Sequence, residues 1–242
     1  MRIISSRQNS WFKRVREAIR EHNEEIVIEG PKAVSDAVAG GWTPIAIFVR
    51  YVGDVIRQPG VPVMQFTHDV FDSLAETRSP QGVIGLFERP RATLESILAR
   101  RDTVAVALDG VQDPGNVGTI VRLAAAFDAA GVLLLPGCAD PFGPKAIRAS
   151  VGAILNVRVA EVTPEELLAS GRVLYAADAR GTTAEPPARD AILLFGNEGS
   201  GVSEVLAEHA APLAIPMSDR VESLNVASSA AILLAGSFAR RT

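Results

Sequence analysis

From Thr103 onward the chain alternates short, uninterrupted apolar runs with segments of helical period. Thr103–Leu108 has no polar residue on either face after its first position, as in a strand buried on both sides. Further strands are expected at Val132–Leu135, Val157–Val162, Arg172–Ala176, Ala191–Phe195 and Leu213–Pro216. Helices are expected between them. One covers about Gly118–Phe127, with Ile120, Leu123, Ala124 and Phe127 on one face, and a short one lies near Lys145–Ser150. Thr163-Pro-Glu-Glu166 forms a capping box with proline in the first turn, so a helix starts there. Another opens at Ser203 and a last, Ala-rich one runs about Leu224–Ala239, while Arg180–Asp190 reads as a long loop. Strand and helix in strict alternation predict an α/β domain whose parallel sheet is covered on both faces.

The first 87 residues form a smaller α/β pattern. Ser10 is placed to cap a helix with the stripe Trp11, Val15, Ala18 and Ile19, leaving Lys13, Arg14, Arg16 and Arg20 outside the stripe. Strands follow at Glu25–Glu29, Ile45–Val49, Val61–Phe66 and Gly82–Phe87. One helix opens at Gly30-Pro31 and stops at Gly40-Gly41, and another starts at Thr67 with Val70, Phe71 and Leu74. Glu88–Arg101, with Pro90 and several arginines, reads as a linker. The expected organisation is therefore residues 1–87, a linker 88–101 and a larger domain 102–242.

Composition narrows the chemistry. Hydrophobic residues make up 48% and charged residues 21%, enough for a sizeable core. The one cysteine, Cys138, excludes an internal disulfide and an all-cysteine metal site, and fits a reducing, cytoplasmic setting. His22, His68 and His209 show no metal-ligand spacing, so no metal is expected. No run reaches the roughly 18 apolar residues of a membrane span. The net charge of −4 does not advertise nucleic acid. Residues 1–20 carry six basic side chains against one acidic, the clearest local candidate for an RNA surface. That charge bias also mimics a transit peptide, but the segment reads better as a folded amphipathic helix.

Three loops in the second half each follow or flank a strand-like run: Asp109–Arg122 (DGVQDPGNVGTIVR), Leu193–Gly201 (LLFGNEGSG) and Ile215–Asn225 (IPMSDRVESLN). Loops at strand ends are where open α/β sheets bind ligands. Each has a plain reading. Asp113-Pro-Gly-Asn116 is a strong turn by itself, Gly196, Gly199 and Gly201 can make a simple turn, and Ser223 or Asn225 can merely cap a helix. Arg122 lies off its helix stripe. It is either a solvated arginine or a fork for a phosphate or carboxylate. Lys145, Arg148 and Ser150 are equally a solvated face or an RNA contact. Glu198 would repel a pyrophosphate, which favours a neutral or cationic ligand. No phosphate-binding P-loop, nucleophile elbow or dinucleotide fingerprint is present.

Taken in order, these three stretches closely resemble the three signature motifs of the SpoU/TrmH family of RNA ribose methyltransferases. The resemblance covers about residues 103–242. Ile3-Ile-Ser-Ser, Glu29-Gly30 and Gln81-Gly82-Val83 carry a weaker likeness to the family's RNA-binding domain, which is similar to a small ribosomal-protein fold. The likeness implies a deep trefoil knot, S-adenosylmethionine held in a bent form, and a homodimer whose site borrows from both subunits. It implies methyl transfer to a ribose 2′-hydroxyl of RNA, with ribosomal RNA favoured over transfer RNA because of the extra N-terminal domain. By resemblance Asn116, Arg122, Glu198, Ser223 and Asn225 form the polar active-site set. Gly196, Asn197, Glu198, Ile215, Met217, Ser223 and Leu224 form the cofactor pocket. The chain departs from the family at Ser218-Asp-Arg220, where a Gly-containing turn is more usual, which bears on loop shape. The small residues Ala227, Ser228, Ser229, Ala230, Ala231, Ala235 and Gly236 suit a closely packed dimer contact. A non-catalytic RNA-binding factor that keeps the fold is the other class of reading.

Overall fold

The computed structural model describes residues 1–51, 53, 58–74, 81–178, 181 and 185–241. These divide into two units, Met1–Pro90 and Arg91–Thr242.

The first unit runs β1 (Arg2–Ile4), α1 (Ser10–Glu21), β2 (Glu25–Glu29), α2 (Pro31–Ala39), β3 (Pro44–Val49), β4 (Val63–Phe66), α3 (His68–Asp72) and β5 (Val83–Glu88). Its sheet has the order β1-β4-β3-β5-β2. The pairs of β4 with β1 and β3 are parallel, and those of β5 with β3 and β2 are antiparallel. The strands alternate buried and partly exposed residues only in β2 and β4. The central strands β3 and β5 are buried almost throughout. Phe48 and Phe66 stack with ring centroids 4.6 Å apart at the centre of the core. The sequence places the cap of α1 at Ser10, but Asn9 takes that role: its side chain accepts from the Trp11 N–H at 2.9 Å. The buried face accordingly contains Phe12, Val15 and Ala18, and Trp11 sits at its edge against Phe48 at 5.8 Å. Strand β1 was not anticipated, because three residues are too few to display a period.

The second unit begins with α4 (Leu94–Leu98) inside the stretch expected to be a linker. Thr93 and Ser96 close a capping box, and Ile97 is fully buried in the core of this unit. Then follow β6 (Ala105–Asp109), α5 (Pro114–Ala126), β7 (Val132–Leu134), α6 (Pro144–Ser150), a 3-10 turn (Ala153–Asn156), β8 (Val159–Glu161) and α7 (Pro164–Ala169). The unit ends with β9 (Val173–Ala177), β10 (Ala191–Gly196), α8 (Glu204–Ala207), β11 (Ala210–Leu213) and α9 (Val226–Ala239). Residues 180 and 182–184 of the expected loop lie outside the described residues. All pairings in the sheet are parallel, in the order β11-β9-β10-β6-β7-β8. The chain moves outward from β6 to β8, crosses to β9, and inserts β10 between β9 and β6. The loops after β6 and β10 therefore leave the same sheet edge side by side, at the point where strand order reverses. Ligands gather at such a point.

Helix α5 begins four residues before the expected Gly118, because Asp113 is its cap and Pro114 its first residue. The Asp113 carboxylate accepts from the N–H groups of Gly115 and Asn116 at 2.6 and 3.1 Å. A sequence rich in turn formers is thus the first turn of a helix. The strand expected at Leu213–Pro216 ends at Leu213, where β11 pairs with Ala177 of β9.

Gly118 fixes the distance between α5 and α6. A Cβ there would stand 2.2 Å from the Ala146 carbonyl oxygen and 2.8 Å from the Ala149 Cβ. Because the first obstacle is backbone, Gly118→Ala should force the helices apart. The expected cost is about 1–3 kcal/mol, read as a lowered midpoint in denaturant unfolding with an unchanged slope.

Candidate active site

The site is built at the C-terminal ends of β9, β10 and β6. After β10 the backbone folds back on itself: the N–H and C=O of Asn197 each bond to Gly201 at 2.9 Å. Gly196 lies directly beneath, and a Cβ on it would stand 2.1 Å from the Gly201 carbonyl carbon and 2.2 Å from the Val202 nitrogen. Only glycine allows that approach. The Asn197 side chain holds the loop shut, since its oxygen accepts from the N–H groups of Gly199 and Ser200 at 2.8 and 3.1 Å. Its Nδ2 donates to the Gly110 carbonyl at 2.8 Å, which ties this loop to the one after β6. Gly110 adopts φ +68°, which places that carbonyl. From the same strand end, the Asp109 carboxylate accepts from the Ser203 N–H at 2.7 Å.

A second set of bonds joins all three motif loops. Asn116, in the first turn of α5, donates from Nδ2 to Glu198 Oε1 at 2.8 Å. The Gln112 N–H donates to Glu198 Oε2 at 3.4 Å. Asn225 donates from Nδ2 to Asn116 Oδ1 at 3.1 Å, while its own Oδ1 caps α9 by accepting from the N–H groups of Ala227 and Ser228. The orientation of both amides follows from Glu198, because an ionised carboxylate only accepts. The capping role of Asn225 and its role in the site are therefore one arrangement, not alternatives.

Beside this chain of bonds is a cavity of about 640 Å³, within the range of roughly 300–1,000 Å³ common for small-molecule pockets. Of the residues expected around a cofactor, Gly196, Asn197, Glu198, Ile215, Met217, Ser223 and Leu224 all line it. Asn225 lines it too, and Asn116 reaches it through Glu198 and Asn225. Arg122 does not line it. That side chain is exposed on α5 and bonds to no described residue. Ser150 is 1% exposed, and its hydroxyl donates to the Ile147 carbonyl at 2.8 Å, so it is not available for an RNA contact. Sequence reasoning missed Ala177 and Asp178 at the end of β9, which also line the cavity. The signal was present, since Asp178 is the first polar residue after an apolar run.

At the site, Glu198 and Asp113 both have lowered carboxyls. Partial burial pushes the Glu198 carboxyl up, but the hydrogen bonds from the Asn116 side chain and from backbone N–H groups outweigh it and hold the group below the ordinary 4.5. Asp113 is held down chiefly by Lys145, 2.9 Å away, and by the N–H groups of Asn116 and Gly115. A carboxyl lowered by folding stabilises the native state above its unfolded pKa and loses that contribution as pH falls through the folded value. The Glu198 network should therefore be intact at and above about pH 4.5 and come apart only below it. Native-state carboxyl titration followed by nuclear magnetic resonance checks the direction: a Glu198 midpoint above that of an unfolded glutamate contradicts it.

Among the described residues no three or more His, Cys, Asp or Glu side chains group as a metal site, and no helix is long and apolar enough to cross a membrane.

Residues 103–235 match the SpoU rRNA Methylase family, and residues 13–85 match an MRM3-like substrate binding domain. The chain belongs to the SpoU rRNA methylase family. One relative is the 23S rRNA (guanosine(2553)-2′-O)-methyltransferase RlmP of Bacillus subtilis, 32% identical over 97% of this chain and 98% of its own length. The AdoMet-bound rRNA methyltransferase of Sinorhizobium meliloti superposes with a TM-score of 0.87 at 29% identity, covering 99% of this chain and 98% of that one. The AdoMet complex of the SpoU methyltransferase AviRb from Streptomyces viridochromogenes gives a TM-score of 0.82 at 26% identity, over 97% and 98%. The α/β architecture with a parallel sheet is thus that of SpoU methyltransferases, and the family match falls on the unit that carries the cavity.

The cavity suits the donor that those two structures contain. Its lining combines the backbone turn of residues 196–201 with the apolar residues Phe195, Ile215, Met217, Leu224 and Val226. A side chain at Gly196 would disrupt the backbone turn that forms this wall.

Proposed function

We propose that this SpoU-family chain methylates a ribose 2′-hydroxyl of ribosomal RNA, using S-adenosylmethionine. The observation that carries this reading is the junction of Asn116, Glu198 and Asn225 from three separate loops at the wall of one cavity. S-adenosylmethionine, when bound, supplies an electrophilic methyl group on a sulfonium. Displacement there is in line and needs no metal, so the protein's task is to place the hydroxyl and exclude competing geometries. Asn116 and Asn225 are held by their hydrogen bonds, and Ser223 and Asn225 line the cavity, so these polar side chains are assigned to orienting the sugar hydroxyl. Glu198 fixes Asn116 instead of remaining free as a base.

Arg122 is assigned to the RNA phosphate beside the target ribose, where its charge draws the phosphate and eases loss of the hydroxyl proton. An arginine with its pKa above about 12 is a poor base, so the proton leaves to water or phosphate. Since Arg122 lies outside the cavity lining of its own chain, this role is assigned within a homodimer in which each subunit completes the other's site. Ala227 and Ala230 of α9 are buried within the chain's own core, so the exposed positions of that helix, such as Ser228 and Ile232, supply part of that contact. Light scattering at micromolar concentration should give twice the 25.6 kDa chain mass; a monomer contradicts the shared site.

The first unit is assigned to RNA binding, with Lys13, Arg16 and neighbouring basic residues of α1 facing the backbone phosphates. A deep trefoil knot in the second unit and a cytoplasmic location complete the reading. The test is incubation of the purified chain with ribosomal RNA and S-adenosylmethionine, followed by nucleoside analysis. A 2′-O-methylnucleoside that depends on the enzyme is expected; a base-methylated product contradicts the assignment. Stronger methylation of transfer RNA than of ribosomal RNA would favour that substrate.

A further inference from the structure

We infer that Asp109 is a positioning residue for the methyl-donor pocket: its carboxylate anchors the far end of the loop that carries Glu198. The inference deepens the cofactor reading above and rests on it. Asp109 belongs to neither residue set implied by the family likeness. It closes β6 and stands opposite Gly196 of β10 in the sheet register. Side chains alternate along a strand, so Asp109 follows Ala105 and Ala107, which share a core cluster with Leu206 of α8. Gly196 has no side chain, and the backbone of Gly201 and Val202 occupies the space a Cβ would need. That crossing delivers the Ser203 N–H to the Asp109 carboxylate at 2.7 Å. The Ser203 side chain makes no capping bond of its own to α8, so the acceptor at this turn comes from β6.

The bond completes a clamp. The near end of the loop is held at Gly110, whose carbonyl accepts from Asn197 Nδ2 at 2.8 Å. The far end is held one residue earlier, at Asp109. Glu198 lies between these two fastenings, and its carboxylate accepts from the Gln112 N–H and from Asn116 Nδ2. Releasing Ser203 leaves the loop fastened at its near end only and lets Glu198 move away from Asn116. Residues 196–202 all line the cavity, so the same displacement reshapes the donor's pocket. A hydrogen bond to an ionised acceptor is among the stronger ones, which suits a fastening between residues 94 positions apart.

Two readouts test the clamp: calorimetric affinity for S-adenosylmethionine, and the Glu198 carboxyl midpoint followed by nuclear magnetic resonance in the donor-free chain. Asp109→Ala should bind the donor about tenfold more weakly. It should also raise the Glu198 midpoint, because the bonds from Asn116 and Gln112 that hold it down loosen. The direction is diagnostic, since deleting a neighbouring negative charge with the loop unmoved would lower that midpoint. Asp109→Asn keeps an acceptor oxygen without the charge, so it should stay within about threefold of wild-type affinity and leave the Glu198 midpoint no higher. Ser203→Pro removes the donor from the other side, at a φ of −58° that proline adopts. In the double variant it should weaken Asp109→Ala by less than about twofold, as expected when both changes break one bond. Wild-type affinity in Asp109→Ala, with a Glu198 midpoint unmoved or lowered, overturns the inference. So does an Asp109→Asn variant as weak as the alanine one, because the charge and not the bond then acts. If Asp109→Ala fails to fold, Ser203→Pro takes its place, and wild-type affinity there overturns the inference. A wild-type chain that binds no S-adenosylmethionine overturns the cofactor reading, while the Glu198 midpoints still decide whether Asp109 holds the loop.

Discussion

Gly196→Ala should reduce affinity for S-adenosylmethionine by up to about 100-fold while the rest of the chain stays folded. The new methyl would stand within 2.4 Å of three backbone atoms, the Gly201 carbonyl carbon and oxygen and the Val202 nitrogen. None of these is the end of a flexible side chain, so the loop must open. Opening breaks the paired bonds between Asn197 and Gly201 and releases the Asn197 side chain from Gly110. Overpacking of this kind costs about 1–3 kcal/mol, and the upper end corresponds to about two decades in a dissociation constant. The strain falls on the loop that forms the cavity wall, not on the strand, because β10 is paired on both edges by β9 and β6. Calorimetry reads the affinity and far-ultraviolet circular dichroism the fold. Near-native affinity would show that this loop does not shape the donor pocket.

Arg122→Ala should lower kcat by about 100- to 1,000-fold, the range seen when one group stabilising a transition state is removed, and leave donor affinity within about twofold. Arg122 is exposed and does not line the cavity, so nothing in the donor's surroundings changes. Arg122→Lys keeps the charge and loses the planar fork. It should recover only a small part of the rate. Full activity of the lysine variant would remove the fork from the account, and a donor affinity that falls with kcat would place Arg122 in the pocket instead. Mixing Arg122→Ala with Gly196→Ala should restore activity in the mixed dimer, where one site of the two regains both groups. No recovery would contradict a site shared between subunits.

Most of the architecture was legible in the sequence, for identifiable reasons. Strands β6 and β10 are buried on both faces, so they appear as unbroken apolar runs. The Thr163 box carries its own cap chemistry in four letters, and it forms as read, with Thr163 accepting from the Glu166 N–H and Glu166 from the Thr163 N–H. Local signals failed where one residue type serves two structures. Asp113-Pro-Gly-Asn reads equally as a turn and as a helix start, and only the observed bonds to Gly115 and Asn116 decide it. Glu88–Arg101 looks like a linker by composition, yet Ile97 is buried in the core through contacts distant in sequence.

The candidate site was legible as three motifs but not as a network. The bond from Asn116 to Glu198 spans 82 positions and that from Asn225 to Asn116 spans 109. No local pattern encodes such pairs, and the resemblance to SpoU methyltransferases supplied the residues without their partners. Asp178 was passed over because it belongs to no motif. It lines the cavity because the strand order brings the end of β9 beside that of β10.

The central claim is that one cavity, walled by loops after three neighbouring strands, presents a methyl donor to an RNA ribose. Mass-spectrometric mapping of ribosomal RNA from cells with and without this chain tests it most directly. The account predicts one 2′-O-methyl mark that disappears with the chain and returns with the wild type but not with Arg122→Ala. An unchanged set of ribose methylations, with a base methylation lost instead, would contradict it.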